Sequence, residues 1–507
     1  MVRPVTGYLL GIDIGTSIVK AAVFDRGGQE VAYATRRTNI ASPQPDWAEA
    51  DPAEIWSATC IVIGQVLTMV PAENIAAIGL SGAMVGAWVL DAQGQALRPG
   101  IFWSDGRAQP LIDERIAQDP AFLSRIFAES GSAMQQGCTL PVLAHLAVHE
   151  PAVLARAHAV VGAKDFIRAQ LTGVIATDIV EAAVAPGSAR ARGRSPALIA
   201  LFGLEDWAHL LPEPQPSESL AGFVTEAAAG VTGLRIGTPV AIGAGDVAAS
   251  VIGAGGLASG AAVSILGTTC LNGVTVPQPV FTPPDLGILF TLPGDLWLRT
   301  MVNVAGTLNI DWALAALCPD FADAPDAYER LAVIAGESPA GAQGAVYVPY
   351  LSEVGIIAPM VEPAARGGFA GLAPRHRRPD LLRAVYEGMA YAIRDCFAAT
   401  GLDFDTVRLV GGGARSAFWR QMIADVLGRR VEVPEGREFG AKGAALLAGT
   451  AIGWYASIRQ ASTSTCRILH VHEPVRDKRY ARGYARYRTY AGALAEARPP
   501  TEQRPMS

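Results

Sequence analysis

Residues 12–23 read IDIGTSIVKAAV, and residues 264–275 read SILGTTCLNGVT. Each is an apolar run, a Gly-Thr-Ser/Thr turn and a second apolar run, which is the pattern of a β-hairpin. The two turn glycines, Gly15 and Gly267, stand about half the chain apart. Two copies of one hairpin, one per half, predict two related lobes facing a cleft. A chance repeat of a common Gly-Thr turn is the competing reading. Helical patterns such as AEIWSATCIVIGQVL alternate with short apolar strands such as AAIGLSG, which predicts α/β architecture. Residues 186–222, basic and then Pro-rich, read as loops or a subdomain edge. PVAIGAGD reads as one strand stopping at Asp246.

The chain has 507 residues, room for about three ordinary domains or two large ones. Apolar residues make up 50% and charged residues 17%, which excludes a disordered chain. A net charge of −6 gives no general attraction to nucleic acid or to an anionic membrane. No two of the six cysteines are closer than Cys270 and Cys318, so neither a metal knuckle nor a disulfide framework is expected, and a reducing cytoplasm fits. The apolar run before Asp13 is too short for a signal peptide. Residues 247–284 carry no charge, but Gly, Ser, Thr and Pro punctuate them, which suits buried strands and turns better than a membrane helix. His145 and His149 are four apart, with Leu146 where a zinc protease helix needs Glu, so they are not read as metal ligands. Tyr480, Tyr484 and Tyr487 form one face of a terminal helix rather than a nucleic-acid patch.

Four stretches can carry chemistry. At Asp13-Ile14-Gly15-Thr16-Ser17, glycine lets the backbone approach an anion, and hydroxyls and N–H groups can hold phosphate oxygens. Asp13 can take Mg²⁺ through water, with Lys20 as a nearby charge. Gly267-Thr268-Thr269 would be a second phosphate loop. An ordinary β-turn with an Asx cap is the plainer reading of the first. Asp246, at the end of a very apolar strand, can act as general base or as an exposed turn residue. Gly411-Gly412-Gly413, followed by Arg415, can lie flat against a nucleotide or simply turn the chain. Trp103-Ser104-Asp105-Gly106-Arg107 packs an aromatic wall, an acid and a guanidinium that can grip adjacent hydroxyls, or form a surface turn. No Walker-A or well-placed dinucleotide fingerprint is present.

In order, these pieces resemble the FGGY carbohydrate kinases, most closely the xylulokinase-like branch, over nearly the whole chain. PDWAEADPAEIW, KDFIRAQLTG with Thr177-Asp178, GGFAGLAPRHRRPDLLRAVYEG from Gly367, and LVGGGARSAFWRQMIADVLGR from Leu409 carry the likeness. The resemblance implies an α/β, two-lobed, actin-like (ribonuclease H-like) duplicated fold with ATP in the cleft between the lobes. The expected division is 1–247 as the lobe holding the sugar site, the first phosphate loop and the base. Residues 248–470 form the nucleotide lobe, and 471–507 a terminal helix and flexible tail. It also implies Asp13, Thr16 and Ser17 at the phosphates and Mg²⁺, Gly267–Thr269 as the second loop, and Gly411–Gly413 near adenosine. Asp246 would be the base and a second metal carboxylate, and Trp103, Asp105 and Arg107 would meet substrate. The chain departs from the family at Ala83-Met84-Val85-Gly86, usually Gln-Met-His-Gly, and at Val247, usually Asn. The family's first signature is degraded in TLPVLAHL. Met84, Val85 and Val247 therefore enter the substrate wall as apolar groups. The expected reaction is ATP-dependent phosphorylation of a primary hydroxyl of a small sugar, a ketopentose such as xylulose. A polyol resembling erythritol or glycerol is second, and a non-catalytic nucleotide sensor third. A homodimer is expected by analogy alone.

Overall fold

The computed structural model describes residues 7–352, 356–362 and 365–496. Two seven-stranded sheets organise it. In the first, Tyr8–Ile14 pairs antiparallel with Ile18–Phe24, which pairs antiparallel with Glu30–Arg37. On its other side Tyr8–Ile14 runs parallel to Ile75–Gly82, reached through the helix Pro52–Leu67. Pro239–Ala241 follows in parallel, and Leu220–Phe223 closes the edge antiparallel. The second sheet repeats this plan. Ala262–Leu266 pairs antiparallel with Cys270–Val276, and that strand pairs antiparallel with Leu296–Asn303. Thr406–Val410 and Arg430–Pro434 then run parallel, and Ile468–His472 closes antiparallel. Ile288–Leu292 is an addition at the far edge. The equivalence of the two hairpins in otherwise matching sheets favours duplication over a chance Gly-Thr turn.

Leu9, Leu10, Ile12 and Ile14 are all fully buried, so the opening strand is covered on both faces. Each lobe has its own apolar core. A third cluster joins them, with Leu9, Met84 and Ala248 from one side and Val263, Leu271 and Phe439 from the other. The helices Asp246–Gly253 and Phe439–Ala451 cross at this junction. They approach through small residues: a Cβ on Gly443 would overlap Ala249, and one on Gly253 would overlap Phe439. The second helix also lies on the first sheet, where Gly11 and Gly79 leave room for the Ala441 and Ala444 carbonyls.

Four expectations change in detail. PVAIGAGD is broken into Pro239–Ala241 and Ala244–Gly245, because Gly243 takes a left-handed φ of 85°. Residues 186–222 hold the helix Pro196–Leu201, capped by Ser195, and a 3₁₀ turn Glu205–Leu210, both packed into a satellite core under Phe122 and Leu143. The charge-free segment begins with a helix and continues as the second hairpin; among the described residues no helix is long and apolar enough to cross a membrane. The helix Asp246–Gly253 runs through the boundary expected at 247. Lys478–Glu496 is the terminal helix, and Tyr480 and Tyr487 are buried against the second-lobe core. The expected flexible tail beyond it lies outside the described residues.

Candidate active site

The first hairpin turn is closed by the Gly15 N–H donating to Ile18 O at 3.0 Å, with Thr16 and Ser17 at its tip. Asp13 precedes it. Its Oδ1 accepts from Ser81 Oγ at 3.0 Å, and its Oδ2 lies 3.7 Å from Lys20 Nζ. Asp13 also faces the second lobe: a Cβ on Gly440 would sit 3.0 Å from Oδ2. Lys20 bridges the lobes as well, with Nζ 2.9 Å from Glu438 Oε2. Burial alone would lower the Lys20 pKa, but Asp13 and Glu438 together hold it above the ordinary lysine value.

The second turn is closed by the Gly267 N–H on Thr269 O at 3.0 Å. It is clamped by the N–H groups of Thr307 on Gly267 O, 2.8 Å, and of Gly306 on Thr268 O, 2.6 Å. The triple-glycine turn lies against it. Gly411, at φ 93°, and Gly413 both pack on Leu266, the residue before Gly267. Gly412 and Arg415 are exposed, and the Arg415 side chain makes no hydrogen bond or ion pair among the described residues.

Asp246 opens its helix, with Oδ1 accepting from the Val247 N–H at 2.8 Å. It is half-buried rather than facing bulk solvent. Its carboxyl is pushed up to about 7, first by burial and then by the Asp13 carboxylate. Two acids that feel each other in this way share one site. Met84 forms a wall beside them, since a Cβ on Gly245 would lie 2.7 Å from its Cε. Val85 holds a left-handed φ of 58°, a strained conformation for a β-branched residue. Its N–H donates to Glu181 Oε1 at 2.5 Å.

Sequence reasoning missed Glu181, although it stopped at Thr177-Asp178 just before it. The available signal was a lone acid inside the apolar turn Ile179–Val184. The Glu181 carboxyl is pushed up to about 8, above all by burial, against the pull of Lys164. Lys164 is itself held by Asp165 at 2.6 Å and Asp178 at 2.9 Å.

The 103–107 segment divides. Trp103 is exposed, and its Nε1 donates to Thr16 Oγ1 at 3.0 Å, tying this loop to the first hairpin. Asp105 has no accessible surface. Its carboxylate accepts from the Ala48 N–H, 2.7 Å, and from Arg107 N, Nε and Nη2. This corrects the expectation that Asp105 grips a ligand, because every face of it is spent on the protein. Arg107 also pairs with Glu49 at 2.7 Å and lies 3.9 Å under the Trp47 ring. Its Nη1 is buried without a partner among the described residues. The first turn stands beside two interacting carboxylates, an arrangement equipped to hold a phosphate and to take a proton from a hydroxyl.

The N-terminal domain model of the FGGY family of carbohydrate kinases matches residues 8–253, and its C-terminal domain model matches residues 262–452. The chain is 33% identical over 464 residues to an erythritol kinase of Brucella abortus, covering 88% of each chain. It is 32% identical over 449 residues to a xylulose kinase of Escherichia coli, covering 87% of this chain and 89% of the relative. The crystal structure of a xylulose kinase from Rhodospirillum rubrum superposes with a TM-score of 0.84 at 28% identity, over 96% of this chain and 99% of that one. With both halves matched and the two sheets repeating one topology, this chain belongs to the FGGY family of carbohydrate kinases, phosphotransferases with the two-lobed actin-like fold.

Proposed function

We propose that the chain transfers the γ-phosphoryl group of ATP to a primary hydroxyl of a ketopentose of the xylulose type, with Asp246 as general base. The observation that carries this is the half-buried Asp246 carboxyl, raised by burial and by Asp13 at the junction of the lobes. A carboxyl near neutrality is suited to accept an alcohol proton as the oxygen attacks. The Thr16-Ser17 and Thr268-Thr269 turns would grip the phosphates, with Lys20 adding charge. Gly411–Gly413 and Arg415 would flank the adenosine, and Met84, Val85, Trp103 and Val247 would wall the acceptor. Asp13 and Asp246 fit Mg²⁺, since they are two oxygen donors in one site whose mutual repulsion a cation would relieve. When bound, the ion supplies charge neutralisation at the transferring phosphoryl.

In this reading residues 1–247 carry the sugar site and the base and 248–470 the nucleotide site, with the terminal helix Lys478–Glu496 following them. Six unbridged cysteines suit the cytoplasm as the setting. A polyol acceptor is the second reading. It is favoured by the apolar Val85 and Val247 and by the similarity to an erythritol kinase.

Coupled ADP release across three- to six-carbon ketoses, aldoses and polyols tests both readings. Release is expected to be strongest with a ketopentose; a tetritol preferred over every ketose would replace the first reading with the second. Asp246→Asn is expected to bind ATP normally and lose turnover by about 10²–10⁴-fold. Near-normal turnover in that variant would remove Asp246 from the role of base.

A further inference from the structure

The turn at Met84–Gly86 is pinned on three sides. Met84 packs on Gly245, directly before Asp246. The Gly86 N–H donates to Gly137 O at 3.0 Å. Between them, Val85 is held at its strained φ by the bond to Glu181 Oε1. The helix bearing Glu181, Ile179–Val184, packs on the Ala244–Gly245 strand that leads into Asp246. The side chains this wall offers an acceptor are poor in hydrogen-bonding atoms: Met84, Val85 and Val247 are apolar. Asp105 is sealed, and the Trp103 indole N–H is already given to Thr16. Glu181 is the exception. Its Oε1 is committed, while no hydrogen bond or ion pair from a described residue reaches Oε2. The group is buried but retains 5% of its surface, so it is not fully closed off.

We propose that Glu181 sets acceptor specificity, its Oε2 hydrogen-bonding an acceptor hydroxyl other than the one that is phosphorylated. This rests on the kinase reading above and adds the residue that discriminates between sugars and polyols. Its neighbours explain why a carboxyl can serve here. Burial keeps it protonated near neutral pH, so it can donate as well as accept. A buried group built to bond a hydroxyl discriminates strongly against an acceptor that lacks it, since the group is then left unpaired.

The test compares each accepted ketose or polyol with its monodeoxy analogues. In the wild type one deoxy position should lower kcat/KM by about 10–100-fold beyond the others. In Glu181→Met, which matches the volume, that penalty should collapse towards one while the other penalties and the KM for ATP stay put. Glu181→Gln, which can still accept from Val85 and donate outward, should restore most of it. A loss in Glu181→Met that is uniform across all analogues means that Glu181 only props the Val85 turn, and overturns the proposal. Should Glu181→Met fail to fold, a structure of the wild type with its acceptor decides: no hydroxyl within ~3.5 Å of Oε2 overturns it. A wild type inactive on every acceptor defeats the kinase reading instead, so the two failures are distinct.

Discussion

Lys20 Nζ lies 2.9 Å from Glu438 Oε2, an ion pair joining the first hairpin of one lobe to the start of the junction helix of the other. The same ammonium is 3.7 Å from Asp13. Glu438 therefore puts a negative charge where a polyphosphate is expected to arrive. Glu438→Gln should tighten ATP binding by about two- to tenfold at low salt, with the gap narrowing as ionic strength rises. Because both partners are partly exposed, stability should change by about 1 kcal/mol or less. Calorimetric titration of ATP at two salt concentrations reads this directly. Equal affinity in variant and wild type at both would place the phosphates away from Lys20.

The lobes meet through glycines, and that contact is testable by adding single methyl groups. A Cβ on Gly443 would strike the Ala249 backbone, so the helix carrying Asp246 must move. Gly443→Ala should destabilise by about 1–3 kcal/mol despite the gain in helix propensity, and lower kcat. Gly230 is the control. It sits in the helix Glu226–Thr232 with nothing within 4 Å of its would-be Cβ. Gly230→Ala should raise stability by about 0.5–1 kcal/mol and leave turnover unchanged. Thermal melts of the pair that move in the same direction would contradict the close approach.

Trp103 couples the acceptor loop to the phosphate hairpin through its bond to Thr16. By donating to Thr16 Oγ1, the indole leaves the Thr16 hydroxyl proton free to point at an anion. Trp103→Phe keeps the aromatic wall and removes that bond, a loss of about 1 kcal/mol. The KM for ATP should rise about fivefold. In a Thr16→Val background the same change should be nearly silent, because there is no hydroxyl left to orient. Full additivity in that cycle would show that the bond does not serve nucleotide binding.

How much of this was legible in the sequence depends on the range of the interaction. Gly15 and Gly267 were readable as equivalent, because a hairpin announces itself within a dozen residues. So was the terminal tyrosine face, since Tyr480 and Tyr487 repeat at helical spacing. The break at Gly243 was not, because an apolar run is apolar whether or not one residue turns left-handed. Asp105 looked like a surface acid; what makes its burial tolerable, besides the neighbouring Arg107, is the Ala48 N–H brought in from far along the chain. Glu181 and Glu438 were missed for a related reason. Each acts through a partner far away in the chain, Val85 or Lys20, and such a pairing leaves no local pattern.

His145 contributes to the loss of stability in acid. Its ring lies edge-on to Trp47, with centroids 6.1 Å apart, and 4.2 Å from the His149 ring. Burial, then His149 and Arg107, push its pKa down to about 4, with Asp105 and Glu150 opposing. The unfolded chain regains the ordinary value of about 6.5. Between these two values the unfolded state binds a proton that the folded state refuses, so stability falls as pH drops from about 6.5 and levels off below about 4. His145→Phe keeps a ring against Trp47 and abolishes this term. Its melting temperature should fall less than that of the wild type between pH 7 and pH 5, while the two proteins run parallel above pH 7. Equal acid sensitivity in both would assign the loss to other groups and show that His145 titrates normally.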